Sequence, residues 1–371
     1  MNDTKQQAGS TRVSPGEKRM SAMEQRMPER EKRMSAMEQR MPEREKRMSA
    51  MVQHEYGEAR DVLNLEQTDR PTLTDDTVIV RVKAAGVDRG AWHLMAGLPY
   101  PVRLAGYGVR SPKTGVRGRE LAGVVESVGA HVTSVRPGDE VFGIGEGAFA
   151  EYVSCRADLL APKPTRLTMV EAAAVPISAL TALQALRDHG RVRAGQKVLI
   201  IGAGGGVGSF AVQIAKAMGA DVTGVCSTGK VELVSSLGAD RVIDYTRSEI
   251  TDDGQLYDVI LDTGGNRSLA MIRKALASAG TLVIVGAETG GRWLGGTERQ
   301  LRAMALSPWI SQRLVSFIAS ENQADLRDIA LMLEAGSIKP AVDRTYPLGD
   351  VATAIEQMQA GRVSGKVVIT V

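Results

Sequence analysis

Only two cysteines, Cys155 and Cys226, occur in the 371 residues, too few for a disulfide framework or a four-cysteine zinc lobe. They suit a reducing compartment, and the cytoplasm is the expected location. Histidine is scarce too: His54, His93, His131 and His189 are the full set, and no two stand at metal-ligand spacing, so no metal is expected. No apolar stretch is long enough to span a membrane. No apolar h-region marks a secretory signal, and glutamates alternating with arginines near the start argue against a mitochondrial transit peptide. The formal charge of +3 is confined to one end, because residues 1–51 carry 12 Lys and Arg against 8 Asp and Glu. Of the totals of 46 and 43, that leaves 34 against 35 for the remainder, which gives no compositional reason to expect nucleic-acid binding.

What is present begins with a repeat. EKRMSAMEQRMPER at 17–30 recurs unchanged at 31–44 and starts a third time at Glu45. Methionines trace a heptad-like seam through it, but Pro28 and Pro42 interrupt any helix in every copy. Identity this complete reads as a recent tandem duplication or an upstream start, so residues 1–51 are expected to be a mobile tail, with order beginning near Val52.

The stretch Gly195–Gly208, GQKVLIIGAGGGVG, carries the strongest signal. Val198 to Ile201 form a continuous apolar run of the kind buried on both faces in a parallel sheet. Glycines crowd the next positions. Val207, Phe210, Ala211, Ile214, Ala215 and Met218 then fall on one face of a helix that Gly219 ends. A strand, a glycine turn and a helix N-terminus make a pyrophosphate site, since the first helical turn has unpaired N–H groups and the positive end of the dipole. Matched to G-x-G-x-x-G, the positions are Ala203, Gly205 and Gly208, with Gly202 free to serve the tight turn.

Around this unit the chain divides. Thr77–Lys83 alternates as a half-buried strand, and shorter strands are predicted at Leu121–Val128, Val141–Gly143 and Phe149–Val153. Thr168 and Glu171 make a capping box opening helices that break at Pro176. Strand-like runs at Asp221–Cys226, Arg241–Tyr245, Asp258–Leu261, Thr281–Val285 and Leu314–Ile318, mostly with helical patterns between, predict a doubly wound sheet. Lys366–Val371 is a further strand that can pair with the first domain.

GRELAGVVESVGAHV, then RPGDEVFG, then GAGGGVG resemble the medium-chain dehydrogenase/reductase superfamily over about residues 52–371. The chain is most similar to its zinc-free quinone oxidoreductase branch, and WHLMAGLPYPVRLAGYGVRSPK resembles the reticulon-4-interacting-protein-like subgroup. The resemblance implies an α/β protein: a β-rich GroES-like catalytic domain (52–177 and 321–371) and a doubly wound Rossmann cofactor domain (178–320), with the active site between them. It also implies a homodimer paired through Leu314–Ile318. Gly204, Gly205, Gly206, Val207 and Gly208 would cradle the cofactor. No carboxylate follows the second strand at Cys226-Ser227-Thr228-Gly229-Lys230, where an NAD site would hold one on the ribose hydroxyls. Ser227 and Lys230 suit a 2′-phosphate instead, so NADPH is expected. Tyr245 matches a tyrosine lying against the adenosine, and Lys366 one lying near the phosphates.

Zinc-containing relatives read Gly-His-Glu where this chain has Gly118-Arg119-Glu120, and their first cysteine ligand falls at Asp88. Arginine has no lone pair and keeps its charge, so it repels a dication. An ion pair between Asp88 and Arg119 is expected there. Asp88, Trp92 and His93 match positions lining the substrate end of the cleft, His93 at that of a proton-relay histidine. Quinones and α,β-unsaturated carbonyls are the expected acceptors, because conjugation spreads the charge that an unconjugated ketone would localise on a metal-bound alkoxide. A zinc-free alcohol or aldehyde reductase, or a non-catalytic NADPH-binding partner protein, are the alternatives.

Overall fold

The computed structural model describes residues 46–265, 267–286, 293, 295 and 297–371. The repeats at 17–44 lie outside the described residues. Order starts earlier than Val52: β1 (Arg47–Gln53) pairs with β2 (Leu63–Asp69), and Met48, Ala50 and Val52 are buried against Ala150. The strand was hidden because its methionines, serine and alanines read as a continuation of the repeat.

Among the described residues, a seven-stranded sheet runs in the order β14-β15-β3-β4-β5-β7, with its seventh strand, β6, paired to β3 off that path. Its members are β3 (Thr77–Val87), β4 (Glu120–Val128), β5 (Glu140–Ile144), β6 (Tyr152–Arg156) and β7 (Leu160–Pro162), joined later by β14 (Val342–Pro347) and β15 (Lys366–Thr370). The predicted terminal strand therefore does return to the first strands, antiparallel to β3, with Val367 opposite Val87. Valines at 78, 80 and 82 are buried while Arg81 and Lys83 face water, the alternation expected of a strand with one solvated face. The strand predicted at Phe149–Val153 sits three residues later, because Phe149 and Ala150 are drawn into bonding with the region of β1 instead.

The second sheet is parallel throughout, in the order β10-β9-β8-β11-β12-β13. It comprises β8 (Lys197–Ile201), β9 (Asp221–Cys226), β10 (Arg241–Asp244), β11 (Tyr257–Asp262), β12 (Leu276–Ile284) and β13 (Arg313–Ser316). Numbered from β8, this is the 3-2-1-4-5-6 order of a dinucleotide-binding sheet. β13 is shorter than the predicted Leu314–Ile318 and lies at the edge, with Ile318 exposed beyond it.

The helices that place the site are α1 (Arg89–Ala96), α2 (Met169–Ala173), α3 (Pro176–Gln184) and α4 (Gly206–Ala217). The capping box of Thr168 and Glu171 opens α2, and Pro176 opens α3 at a position where its missing N–H costs nothing. α3 is buried along nearly its whole length. One core cluster runs from Ala84, Ala122 and Phe142 of the seven-stranded sheet, through Ala172 and Leu180, to Val198 and Ile200 of the parallel sheet. Residues 48–371 accordingly form one compact unit.

Candidate active site

The glycine turn has the conformation its sequence requires. Gly202 holds φ +85°, a left-handed value that favours glycine and tightens the exit from β8. A Cβ on Gly208 would come within 2.7 Å of Ala203 Cα, so α4 can pack this close to β8 only without one. Ala203 replaces the first fingerprint glycine and is itself fully buried. Gly205 is the N-cap of α4 and no side chain caps the helix, which leaves its first-turn amides to a ligand. Val207 packs against the core beneath. The turn fits a pyrophosphate: close backbone approach, orphan amides and the positive end of a 12-residue helix converge.

Two elements flank this turn. Gly365 N donates to Gly204 O at 2.9 Å, so the start of β15 lies against the glycine turn. Lys366 runs alongside, its Cδ 2.9 Å from where a Gly206 Cβ would be, with Ser178 Oγ at 3.1 Å. Lys230 packs on the turn too, its Cβ 2.8 Å from where a Gly204 Cβ would be. Its Nζ donates to Val363 O at 2.6 Å. Ser227 opens the short turn after β9, and its carbonyl accepts from Lys230 N at 2.9 Å. Tyr245 stands half-exposed at the end of β10, its N–H on Cys226 O at 3.0 Å, with the Arg267 guanidinium 5.9 Å from its ring centre. A carboxylate that sequence reasoning left out is close by: Asp244 accepts from Thr228 Oγ1 at 2.6 Å and Thr246 Oγ1 at 2.7 Å, bonds that hold it below the usual carboxylate range.

Asp88, Trp92 and His93 do gather on one short element. Asp88 is the N-cap of α1, where Oδ1 accepts from Ala91 N at 3.0 Å and Oδ2 is buried without a hydrogen-bond partner. Trp92 Nε1 is likewise buried and unpartnered. Its ring lies 4.6 Å from that of His93, tilted by 53°. His93 Nδ1 donates to Leu98 O at 2.9 Å, the tautomer following from the carbonyl, which can only accept. Burial holds the imidazole below its ordinary pKa, outweighing that bond and the nearby Asp88, so near neutral pH His93 has no surplus proton to donate.

The expected ion pair of Asp88 with Arg119 is not formed. Arg119 Nη2 donates to both oxygens of Glu321, at 2.7 and 2.9 Å, and Nε donates to Glu146 at 3.0 Å. Two carboxylates satisfy the planar guanidinium better than one already committed to a helix cap. Burial works against the Arg119 charge, but Glu321, Glu146 and, more weakly, Asp88 outweigh it and hold its proton more firmly than usual. The next residue, Glu120, is fully buried and pairs with the Lys366 ammonium, while its other oxygen accepts from Ile177 N at 2.8 Å. Burial raises the Glu120 pKa against the pull of that ammonium. Lys366 thus reaches the glycine turn with its stem and gives its charge to Glu120.

Sequence reasoning missed Glu146 and Glu321, and also Asp262 at the carboxyl end of β11. Asp262 is fully buried; Oδ1 accepts from Gly264 N and Gly265 N at 3.1 and 3.0 Å, and Oδ2 pairs with Arg299. The signal was present, since a lone acidic residue ending an apolar strand is costly unless paired. Its partner could not be named, lying 37 residues away. Among the described residues no three His, Cys, Asp or Glu converge as metal ligands, and no helix is long and apolar enough to cross a membrane.

Residues 74–165 match the family described as alcohol dehydrogenase GroES-like domain, and residues 237–369 the one described as zinc-binding dehydrogenase. A 2-methylene-furan-3-one reductase of Solanum lycopersicum is 33% identical over 331 residues, 85% of this chain and 77% of that protein. The mitochondrial NAD(P)H oxidoreductase RTN4IP1 of Mus musculus is 34% identical over 326 residues, 79% of this chain and 81% of that one. Among solved structures, the quinone oxidoreductase from Coxiella burnetii superposes with a TM-score of 0.75 at 26% identity, covering 88% of this chain and all of that one. With the parallel sheet, the glycine cradle and the GroES-like strands in place, the chain belongs to the medium-chain dehydrogenase/reductase superfamily, in its quinone oxidoreductase branch.

Proposed function

We propose that this chain is a reductase of quinones or α,β-unsaturated carbonyls, using NADPH and no metal. The observation that carries the reading is Arg119 beside Asp88. Where zinc relatives place ligands, this chain holds a guanidinium fixed by Glu146 and Glu321, which has no lone pair with which to coordinate a cation. When bound, the nicotinamide supplies a hydride. The glycine turn and the N-terminus of α4 hold the pyrophosphate, Lys366 and Lys230 lie against that turn, and Trp92 and Asp88 face the acceptor. Without a Lewis acid, an acceptor whose conjugation spreads the developing negative charge is favoured over a simple ketone.

The preference for NADPH rests on Ser227 and Lys230 and on the engagement of Asp244 by two threonines. The two sheets, extended by their flanking segments, correspond to the catalytic and cofactor domains of this reading. A homodimer would use the open edge of β13, and the cytoplasm suits two free thiols that burial pushes up to about 12 at Cys155 and about 11 at Cys226. Turnover tests the reading: oxidation of NADPH in the presence of quinones, enones, aldehydes and ketones, offered one at a time.

A further inference from the structure

The carboxyl ends of three strands meet around one carboxylate. Asp262 closes β11 between Ile201 of β8 and Ile284 of β12, and it is fully buried. The next residue, Thr263, is held from both sides: its N–H and hydroxyl donate to Ile201 O at 3.1 and 2.8 Å, and its carbonyl oxygen stands 2.8 Å from where a Gly286 Cβ would be. A Cβ on Gly202 would lie 3.5 Å from Gly264 N, and Val285 N donates to Asp262 O at 3.0 Å. The turn after β11 is therefore framed by the glycine turn after β8 and by the exit of β12.

The Asp262 side chain shapes that turn. Oδ1 accepts from both Gly264 N and Gly265 N, and Oδ2 pairs with the guanidinium of Arg299 on α5 (Thr297–Leu306). A carboxylate this deep needs both kinds of partner, because an ion out of water is costly unless it is paired and hydrogen-bonded. Arg299 is given over to it: Nη2 goes to Asp262, and the buried Nε has no hydrogen-bond partner among the described residues.

The place of the turn in the sheet indicates which part of the cofactor it meets. In a sheet of this order the dinucleotide lies outside the carboxyl ends of the strands, across the point between β8 and β11 where the order reverses. Ser227, Lys230 and Tyr245 follow β9 and β10, on one side of β8. The turn after β11 lies on the other side. With the adenosine end on the first side and the pyrophosphate on the glycine turn, the nicotinamide end falls to the second.

We propose that Arg299 is a positioning residue for the nicotinamide half of the cofactor, fixing through Asp262 the Thr263–Gly265 turn on which that half rests. The inference rests on the NADPH reading and deepens it. Without the guanidinium the Asp262 charge is unmatched; the carboxylate turns towards water and releases the Gly264 and Gly265 amides. The nicotinamide end then loses its support, while the adenosine end keeps its own.

The test separates the two ends of the cofactor. Calorimetric titration of the full chain with NADP and with adenosine 2′,5′-bisphosphate, which carries the adenosine and its 2′-phosphate alone, gives a ratio of affinities without any turnover. Arg299→Met should weaken NADP about tenfold, one charged hydrogen bond's worth, and leave the bisphosphate within about twofold. Arg299→Lys keeps the charge but not the planar fork, and should restore part of the NADP affinity. A pair with a purely structural role would lower the melting temperature and leave the ratio unchanged, and that outcome overturns the proposal. Equal weakening of both ligands overturns it too. If Arg299→Met does not fold, Arg299→Lys decides: a ratio about threefold below that of the unmutated protein supports the positioning role, and an unchanged ratio refutes it. If the bisphosphate binds no better than AMP, the preference for NADPH fails, and the ratio of NAD to AMP in the same variants decides the role of Arg299. Binding of none of these ligands by the unmutated protein overturns both.

Discussion

Glu120 and Lys366, 246 residues apart, form a fully buried ion pair that ties β4 to the start of β15 beside the glycine turn. Removing one partner strands a charge in the interior. Glu120→Gln or Lys366→Met alone should cost roughly 3–5 kcal/mol, and the double variant less than either single one, because no isolated charge then remains. Urea unfolding measures all three; a double variant losing the sum of the singles would show that the two side chains do not depend on each other.

Arg119 predicts a contrast between two couplings. It meets both oxygens of Glu321 but makes no direct bond to Asp88. A double-mutant cycle of Arg119 with Glu321 should return about 1–2 kcal/mol, discounted for the solvent that reaches both side chains. The cycle with Asp88 should return less. Equal couplings would restore the Asp88 pair expected from sequence.

His93 predicts the acid side of the stability profile. Its folded pKa is depressed by burial, so in the unfolded chain the ring takes up a proton at higher pH than in the fold. The contribution is complete above the ordinary histidine value near 6.5 and is lost as pH falls through the lower folded value. His93→Gln should therefore lose less melting temperature between pH 7 and pH 5 than the unmutated protein. An identical slope would mean that His93 charges freely in the fold.

Lys230 predicts cofactor choice. A hydrogen bond to a charged group is worth roughly 1.5–3 kcal/mol, so Lys230→Ala should weaken NADPH about tenfold or more. NADH should be almost unaffected. Equal affinity of the unmutated protein for the two nucleotides would remove the 2′-phosphate role.

The cofactor half of the fold was legible because its rules are local. Gly202 and Gly208 are dictated by a left-handed turn and a close helix, the Thr168 capping box by two neighbours, and β8 by four apolar residues in a row. The opposite half of the site was not, because its charged groups Arg119 and Glu120 are settled by residues far along the chain. Arg119 sat where the backbone of zinc relatives would bring it towards Asp88, yet its partners come from 27 and 202 residues away, and nothing in the local pattern ranks Glu321 above Asp88. β1 went unread for another reason: residues 47–51 carry the composition of the repeat before them, while burial of Met48, Ala50 and Met51 depends on Phe149 and Ala150.

The most direct test of metal-free reduction of conjugated acceptors is the rate of NADPH oxidation by protein dialysed against a strong chelator and assayed for zinc. With 1,4-naphthoquinone or a simple enone the rate should equal that of the undialysed protein, with far less than one zinc per chain, and unconjugated ketones should give little or none. Loss of activity on dialysis, restored by zinc, would contradict the account, as would faster reduction of simple ketones than of any conjugated acceptor.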